Sequence, residues 1–278
     1  MRKIKIVADS SANITRLDGV EFACAPLKII TAKAEFIDDD LLSVSEMVRF
    51  FDSYKGTSKT SCPNVNDWLT AFADADDVIC VTITGGLSGS YNSACAAKKI
   101  YEEEHPDRRV FVLDSLSAGA EITLMVEKLR ELVLNGVVYE EICDQIKSYA
   151  KQTGLIFMLK SLKNFAANGR VSPLVAKIVG VVGICVVGRA SDEGTLEPTH
   201  KCRGEARALE TLVSDLESYG LSTGKVQIGH CENESGANAL KELIEKKFPR
   251  ARVTVASMGG LCCYYAEKGG LLVGFEKA

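Results

Sequence analysis

A chain of 278 residues, 46% hydrophobic and 25% charged, has the composition of a globular protein and can bury a sizeable core as one large or two smaller domains. Its formal net charge of −4 excludes the basic footprint of a nucleic-acid binder. No apolar run approaches the roughly 20 residues of a membrane span, and the start MRKIKIVADSS lacks a signal peptide's apolar stretch, so a cytoplasmic protein without integral membrane association is expected.

Residues 4–8 read as a short apolar strand ending at Asp9-Ser10-Ser11, and residues 22–30 as extended chain with Pro26 at an edge or bend. Ser43 and Glu46 have the spacing of a capping box, which predicts an amphipathic helix to about Tyr54. A polar loop over 55–66 carries Thr57, Ser58, Thr60 and Ser61, and Pro63 is expected in the first turn of a helix bearing Trp68, Leu69 and Phe72.

The stretch 78–97, VICVTITGGLSGSYNSACAA, organises the rest. Its first seven residues have the composition of a buried parallel strand, Gly85-Gly86 is a turn, and a small-residue helix starts around Ser88. A strand, a glycine turn and a helix N-terminus gather N–H groups and the positive end of a helix dipole, which suits an anion. Thr84, Ser88, Ser90 and Tyr91 add hydroxyls.

Beyond it, residues 109–113 form a strand ending in Asp114-Ser115, and two helical patterns over 118–134 and 139–151 are separated by the stop Asn135-Gly136. Such alternation argues for a parallel sheet with helices on both faces, and ligands then lie beyond the strands' carboxyl ends. After Thr153 the pattern changes to a strand over 155–159, a polar loop over 163–173 with Asn168-Gly169-Arg170, and an apolar run over 178–187 punctuated by Gly180 and Gly183. Asp192-Glu193-Gly194 is a hairpin-like turn, followed by a helix over 203–219, a strand over 225–229 and a helix over 235–247. Strands over 252–256 and 271–275 close the chain around a loop with Gly259-Gly260. The expected division is an N-terminal α/β domain over 1–152 and a C-terminal mixed α/β domain over 153–278.

The candidate chemistries differ in what they require. GGLSGS matches neither dinucleotide nor P-loop spacing, and around Ser88 the glycines of a serine-hydrolase elbow are at 86 and 89 rather than 86 and 90. A hydrolase also needs a base, for which His230 at a strand end is the candidate among three histidines. The ten cysteines include no C-x-x-C, so no metal site is expected, and Cys62 is the thiol to test for reactivity. Asp9 and Asp114 read best as caps of the turns that follow them. Arg170 and Arg203, in a loop and at a helix start, could hold an anion or an acidic partner. Hydroxyls with backbone N–H groups suit a carboxylate that is bound without reacting, and a fatty acid would add the need for an apolar tunnel.

Several segments in order resemble the DegV family across essentially the whole chain: VADSS (7–11), KTSCP (59–63), TGGLSGSYNSA (84–94), VLDS (112–115) and LKNFAANGRVS (162–172), with CRGEARAL (202–209) and GGLLVGF (269–275) fitting more loosely. The family is similar to the fatty-acid-binding subunits of bacterial fatty acid kinase. The resemblance implies two α/β domains holding an acyl chain, a carboxylate site at Thr60 and Ser88 with Ser61 and Gly85-Gly86 beside them, and Arg170 and Arg203 at the carboxyl end or a kinase-docking face. It implies a non-enzymatic subunit whose ligand is phosphorylated by a separate kinase component, with no cofactor. A serine-dependent acyl hydrolase using Ser88, or a carrier of another amphipathic anion, is the alternative. This chain departs from the family at Cys62, where glutamine is common, and near Cys185, where a proline is common. It departs again in MGGLCCYY (258–265), where Tyr264 or Tyr265 stands in place of an expected histidine.

Overall fold

The computed structural model describes residues 2–171 and 183–277, so the apolar positions 178–182 and Pro173 lie outside the described residues. Three sheets organise the chain. The first is wholly parallel, in the order β2 (Glu21–Ala25), β1 (Ile4–Asp9), β6 (Asp77–Thr82), β7 (Arg109–Asp114). Its apolar runs are continuous because both faces are buried, and side chains alternate between them. Val7, Val78 and Cys80 meet α2 (Val65–Phe72) and α3 (Ser90–Glu104) through Trp68, Phe72 and Tyr101. Ile6, Ala8, Ile79 and Val81 meet α4 (Ala120–Leu134) and α5 (Tyr139–Lys151) through Ile122, Met125, Leu129 and Ile146.

The second sheet is small and antiparallel, β4 (Glu35–Ile37), β3 (Lys28–Thr31), β5 (Ser58–Ser61), with α1 (Val44–Ser53) following β4. Pro26 breaks the expected extended stretch 22–30 into two strands on different sheets, which fits its missing N–H. The residues expected as the loop 55–66 contain β5; SKTS has no apolar signal, and pairing with β3 makes it a strand. Ser43 does precede α1, but its side chain makes no cap bond and instead meets Ser45 Oγ at 3.5 Å. The reciprocal capping box belongs to Asn64 and Asp67, and Pro63 precedes that cap instead of lying in the first turn.

The third sheet is mixed: β10 (Leu196–Arg203), β9 (Ile184–Ala190), β8 (Thr153–Leu159), β13 (Leu271–Glu276), β11 (Gly224–His230), β12 (Ala251–Ser257). Only β11 and β12 run parallel to each other; the remaining pairs are antiparallel. Helices α7 (Glu205–Ser218) and α8 (Glu234–Lys247) cover one face. The stretches expected as loops around 163–173 and 257–270 contain short helices, α6 (Lys163–Ala167) and α9 (Gly260–Ala266). Arg203 ends β10 and does not start α7.

Helix α9 connects β12 and β13 of the third sheet, yet residues from the N-terminal half hold its start. Asp38 accepts the N–H groups of Gly260 and Leu261 at 2.6 and 3.0 Å, and Asn13 accepts that of Gly259 at 2.8 Å. These acceptors satisfy donors that every helix N-terminus leaves open. Among the described residues no helix is long and apolar enough to cross a membrane.

Candidate functional site

A cavity of about 310 Å³ lies where the three sheets meet, a volume in the range of small-molecule sites. Leu155, Phe157 and Leu159 of β8 line it, together with Leu272 of β13, and Leu27 and Ile83 come from the N-terminal half. Leu261, Cys262, Tyr265 and Ala266 of α9 add another wall.

The polar groups gather around the turn between β6 and α3. Thr60, Ser61, Ser88, Arg170 and Tyr265 all line the cavity, so the structure brings together residues spread over more than half of the chain. Thr60 Oγ1 and the Tyr265 hydroxyl are 2.7 Å apart. Burial pushes the Tyr265 phenol above its ordinary range, against the opposing hydrogen bond with Thr60 and the charge of Arg170, so it stays a neutral donor. Arg170 donates from Nε to the Leu87 carbonyl at 3.3 Å and from Nη1 to the Asn168 carbonyl. The Ser88 hydroxyl oxygen accepts the Ser90 N–H at 3.2 Å. Cys62 also lines the cavity, but burial pushes its thiol up despite Arg170, the opposite of an activated nucleophile.

Other candidate residues lie elsewhere. Gly85 and Gly86, expected to offer N–H groups to a ligand, have theirs engaged within the protein. Gly85 donates to both carboxylate oxygens of Asp114 at 3.1 and 3.2 Å, and Gly86 donates to Thr84 Oγ1 at 3.0 Å. Both positions require glycine for close approach: a Cβ at 85 would come within 2.8 Å of Asp114 Oδ2, and one at 86 within 2.7 Å of the Glu193 carbonyl. Gly86 lets the hairpin between β9 and β10 sit on the turn, and Gly85 lets Asp114 approach it. Tyr264 faces away from this cavity into a second one, where it meets Ser58 Oγ at 2.7 Å and accepts from Asn168 Nδ2 at 2.9 Å. Arg203 is exposed at the end of β10, outside the cavity wall. His230 is buried at the end of β11, its Nδ1 accepting the Asn233 N–H at 3.4 Å, and burial lowers its pKa. It does not line the cavity at Ser88, where a hydrolase would need it. Among the described residues no group of three or more His, Cys, Asp or Glu side chains is placed to hold a metal ion.

Tyr264 and Tyr265 are adjacent on α9, so their side chains diverge around the helix. Ser58 and Thr60 are two apart on β5, so theirs share a face. Each of these two hydroxyls meets one tyrosine, and the two contacts fix α9 between the cavities.

Sequence reasoning takes Asp9 as a cap, which it is for Ser10–Ala12, but misses its longer-range contacts, and it passes over Asp38 and Glu121. Each is buried, and burial raises each carboxyl above its usual range against the hydrogen bonds it accepts. Asp9 was marked by its place at a strand end. Asp38 and Glu121 carried no local signal, because their partners, Gly260, Leu261 and Thr153, are distant in sequence.

The geometry can be set beside known proteins. The DegV family model, described as "Uncharacterised protein, DegV family", matches residues 3–278. A DegV domain-containing protein of Streptococcus pneumoniae is 40% identical over 276 residues, covering 98% of each chain. The fold is similar to a DegV family protein from Eubacterium eligens solved loaded with heptadecanoic acid, with 43% identity, a TM-score of 0.96 and coverage of 99% of this chain and 100% of that one. It is also similar to the fatty acid kinase (Fak) B3 protein of Streptococcus pneumoniae solved loaded with linoleic acid, with 40% identity, a TM-score of 0.97 and the same coverage. Matched over nearly its whole length in sequence and in fold, this chain belongs to the DegV family.

Proposed function

We propose that this protein binds a long-chain fatty acid, holds its carboxylate at the Thr60–Ser88–Tyr265 corner beside Arg170, and buries the acyl tail among the leucines of β8, β13 and α9. The observation that carries this reading is one cavity with neutral hydroxyl donors and an arginine on one wall and leucine and phenylalanine side chains on the others. Each buried CH₂ contributes about 0.8 kcal/mol, so the tail supplies most of the affinity and the hydroxyls fix the orientation. Ser61, next on β5, borders the same cavity, but its exposed hydroxyl donates to the Cys62 carbonyl. Gly85 and Gly86 act through the shape of the turn.

In this reading the protein does not transform its ligand. It presents the carboxyl group to a separate kinase component, a role supported by its likeness to the Fak B3 protein. Arg203, exposed and outside the cavity, fits a docking face better than a ligand contact. The hydrolase alternative loses ground because its candidate base, His230, is engaged with Asn233. Residues 1–152 and 153–278 act as two lobes closing on the tail, in the cytoplasm, where the ten cysteines stay reduced.

Mass spectrometry of lipid extracted from purified protein tests the binding role, and close to one fatty acid per chain is expected. A preparation that neither carries nor takes up an acyl chain refutes it. Mixing loaded protein with a fatty acid kinase's ATP-using component and trapping acyl phosphate with hydroxylamine tests the presenting role separately.

A further inference from the structure

We infer that Asp9 is a positioning residue for the carboxylate corner: it pins both ends of the turn that carries Ser88 and, through Ser90, leaves the Ser88 hydroxyl proton available to the cavity. The inference rests on the fatty-acid reading. Asp9 ends β1 and is fully buried. A carboxylate removed from water is tolerated when its lone pairs are satisfied, and all four partners here are neutral.

The two oxygens serve different ends. Oδ1 accepts the Ser11 N–H at 3.2 Å and the Ser11 hydroxyl, which is the cap of a local 3-10 turn over Ser10–Ala12. Oδ2 reaches away from that cap. It accepts the Ile83 N–H at 2.9 Å and the Ser90 hydroxyl at 2.6 Å. Ile83 follows β6 and Ser90 opens α3, so one oxygen brackets the turn over 84–89.

Ser90 is then held by both of its polar groups. Its hydroxyl donates to Asp9, and its N–H donates to Ser88 Oγ at 3.2 Å. The Ser88 oxygen accepts through one lone pair, which orients the hydroxyl while its proton remains to donate, and Ser88 lines the cavity. A bound carboxylate needs such a donor. A cap alone would need Oδ1 and nothing from Oδ2.

Ser11→Ala and Ser90→Ala each remove one hydroxyl from Asp9, on opposite oxygens, and so separate capping from positioning. Delipidated wild-type and variant proteins are loaded with [1-¹³C]linoleic acid, and the bound carboxyl resonance is read by NMR alongside the affinity. Ser90→Ala is expected to move the resonance and weaken binding about fivefold, whereas Ser11→Ala changes neither, whatever stability each loses. If Ser90→Ala does not fold, Asp9→Asn is read by the same resonance. An unmoved resonance and unchanged affinity in Ser90→Ala, with Ser88→Ala altering both, overturns the inference and leaves the fatty-acid reading standing. No bound resonance in the wild-type protein overturns that reading and the inference with it.

Discussion

The two faces of β8 carry equally apolar side chains but meet different interiors. Ile156 and Met158 pack into a filled core with Leu212, Leu240 and Val273 beneath α7 and α8. Leu155, Phe157 and Leu159, alternating with them, border the cavity. The helices on the first face lie directly on the sheet and close it by dispersion and burial. Opposite, the walls are linked by polar contacts: Thr60 with Tyr265, Ser58 with Tyr264, and Asp38 with the start of α9. Hydrogen bonds between its walls therefore set the shape of this apolar space.

Truncation on the filled face breaks this comparison most directly. Ile156→Ala is expected to lower the unfolding free energy by about 3 kcal/mol, since the dense core collapses only partly around the void. Leu155→Ala, bordering existing space, should lose less than half as much and weaken fatty acid binding instead. Urea unfolding and acyl-chain titration of both variants check this, and equal stability losses would mean the two faces do not differ.

The polar corner comes next in size. Ser88→Ala or Thr60→Ala removes a hydroxyl donor to a charged group, worth about 2 kcal/mol or roughly thirtyfold in affinity, with thermal unfolding little changed. Unchanged affinity in both variants would remove these residues from the site.

A smaller effect separates the two tyrosines. Tyr265→Phe should weaken binding about fivefold, and Tyr264→Phe, facing the second cavity, should not. If Tyr264→Phe has the larger effect, the assignment of Tyr265 to the corner is mistaken.

The smallest expected effect is a slope with pH. Burial raises Glu121 above the usual carboxyl range, against hydrogen bonds from Ser117 and Thr153. A raised carboxyl binds its proton more tightly in the folded state. Its contribution is therefore complete below the unfolded value of about 4.3 and declines as pH rises through the folded one. Glu121→Gln keeps an acceptor for one hydroxyl and offers the other a donor, so the variant should lose less stability between about pH 5 and about pH 8. Parallel stability curves would show that Glu121 does not titrate in this way.

How much was legible in the sequence differs between the same regions. Both faces of the parallel sheet could be read, because Val78–Val81 is apolar at every position and such runs mark strands covered on both sides. The glycine turn and the aspartates at the strand ends were legible too, being local features of a few residues. Strand β5 was not: Ser58, Lys59, Thr60 and Ser61 carry no β-forming pattern, and their strand exists only because Lys28–Thr31 lies beside them. Helix α9 has the local pattern of a loop because its start is capped by Asp38 and Asn13, far away in sequence.

The sequence by itself determined the α/β class and the parallel sheet and brought forward Thr60 and Ser88 as candidates, since these follow from local periodicity, turn chemistry and family resemblance. Only the tertiary structure decided which tyrosine meets Thr60, that the N–H of Gly85 is already engaged by Asp114, and that one face of β8 borders a cavity. The reason is physical: side-chain identity sets what a residue can bond to, but which partners and which empty volumes it meets depends on contacts between segments that are far apart in the chain.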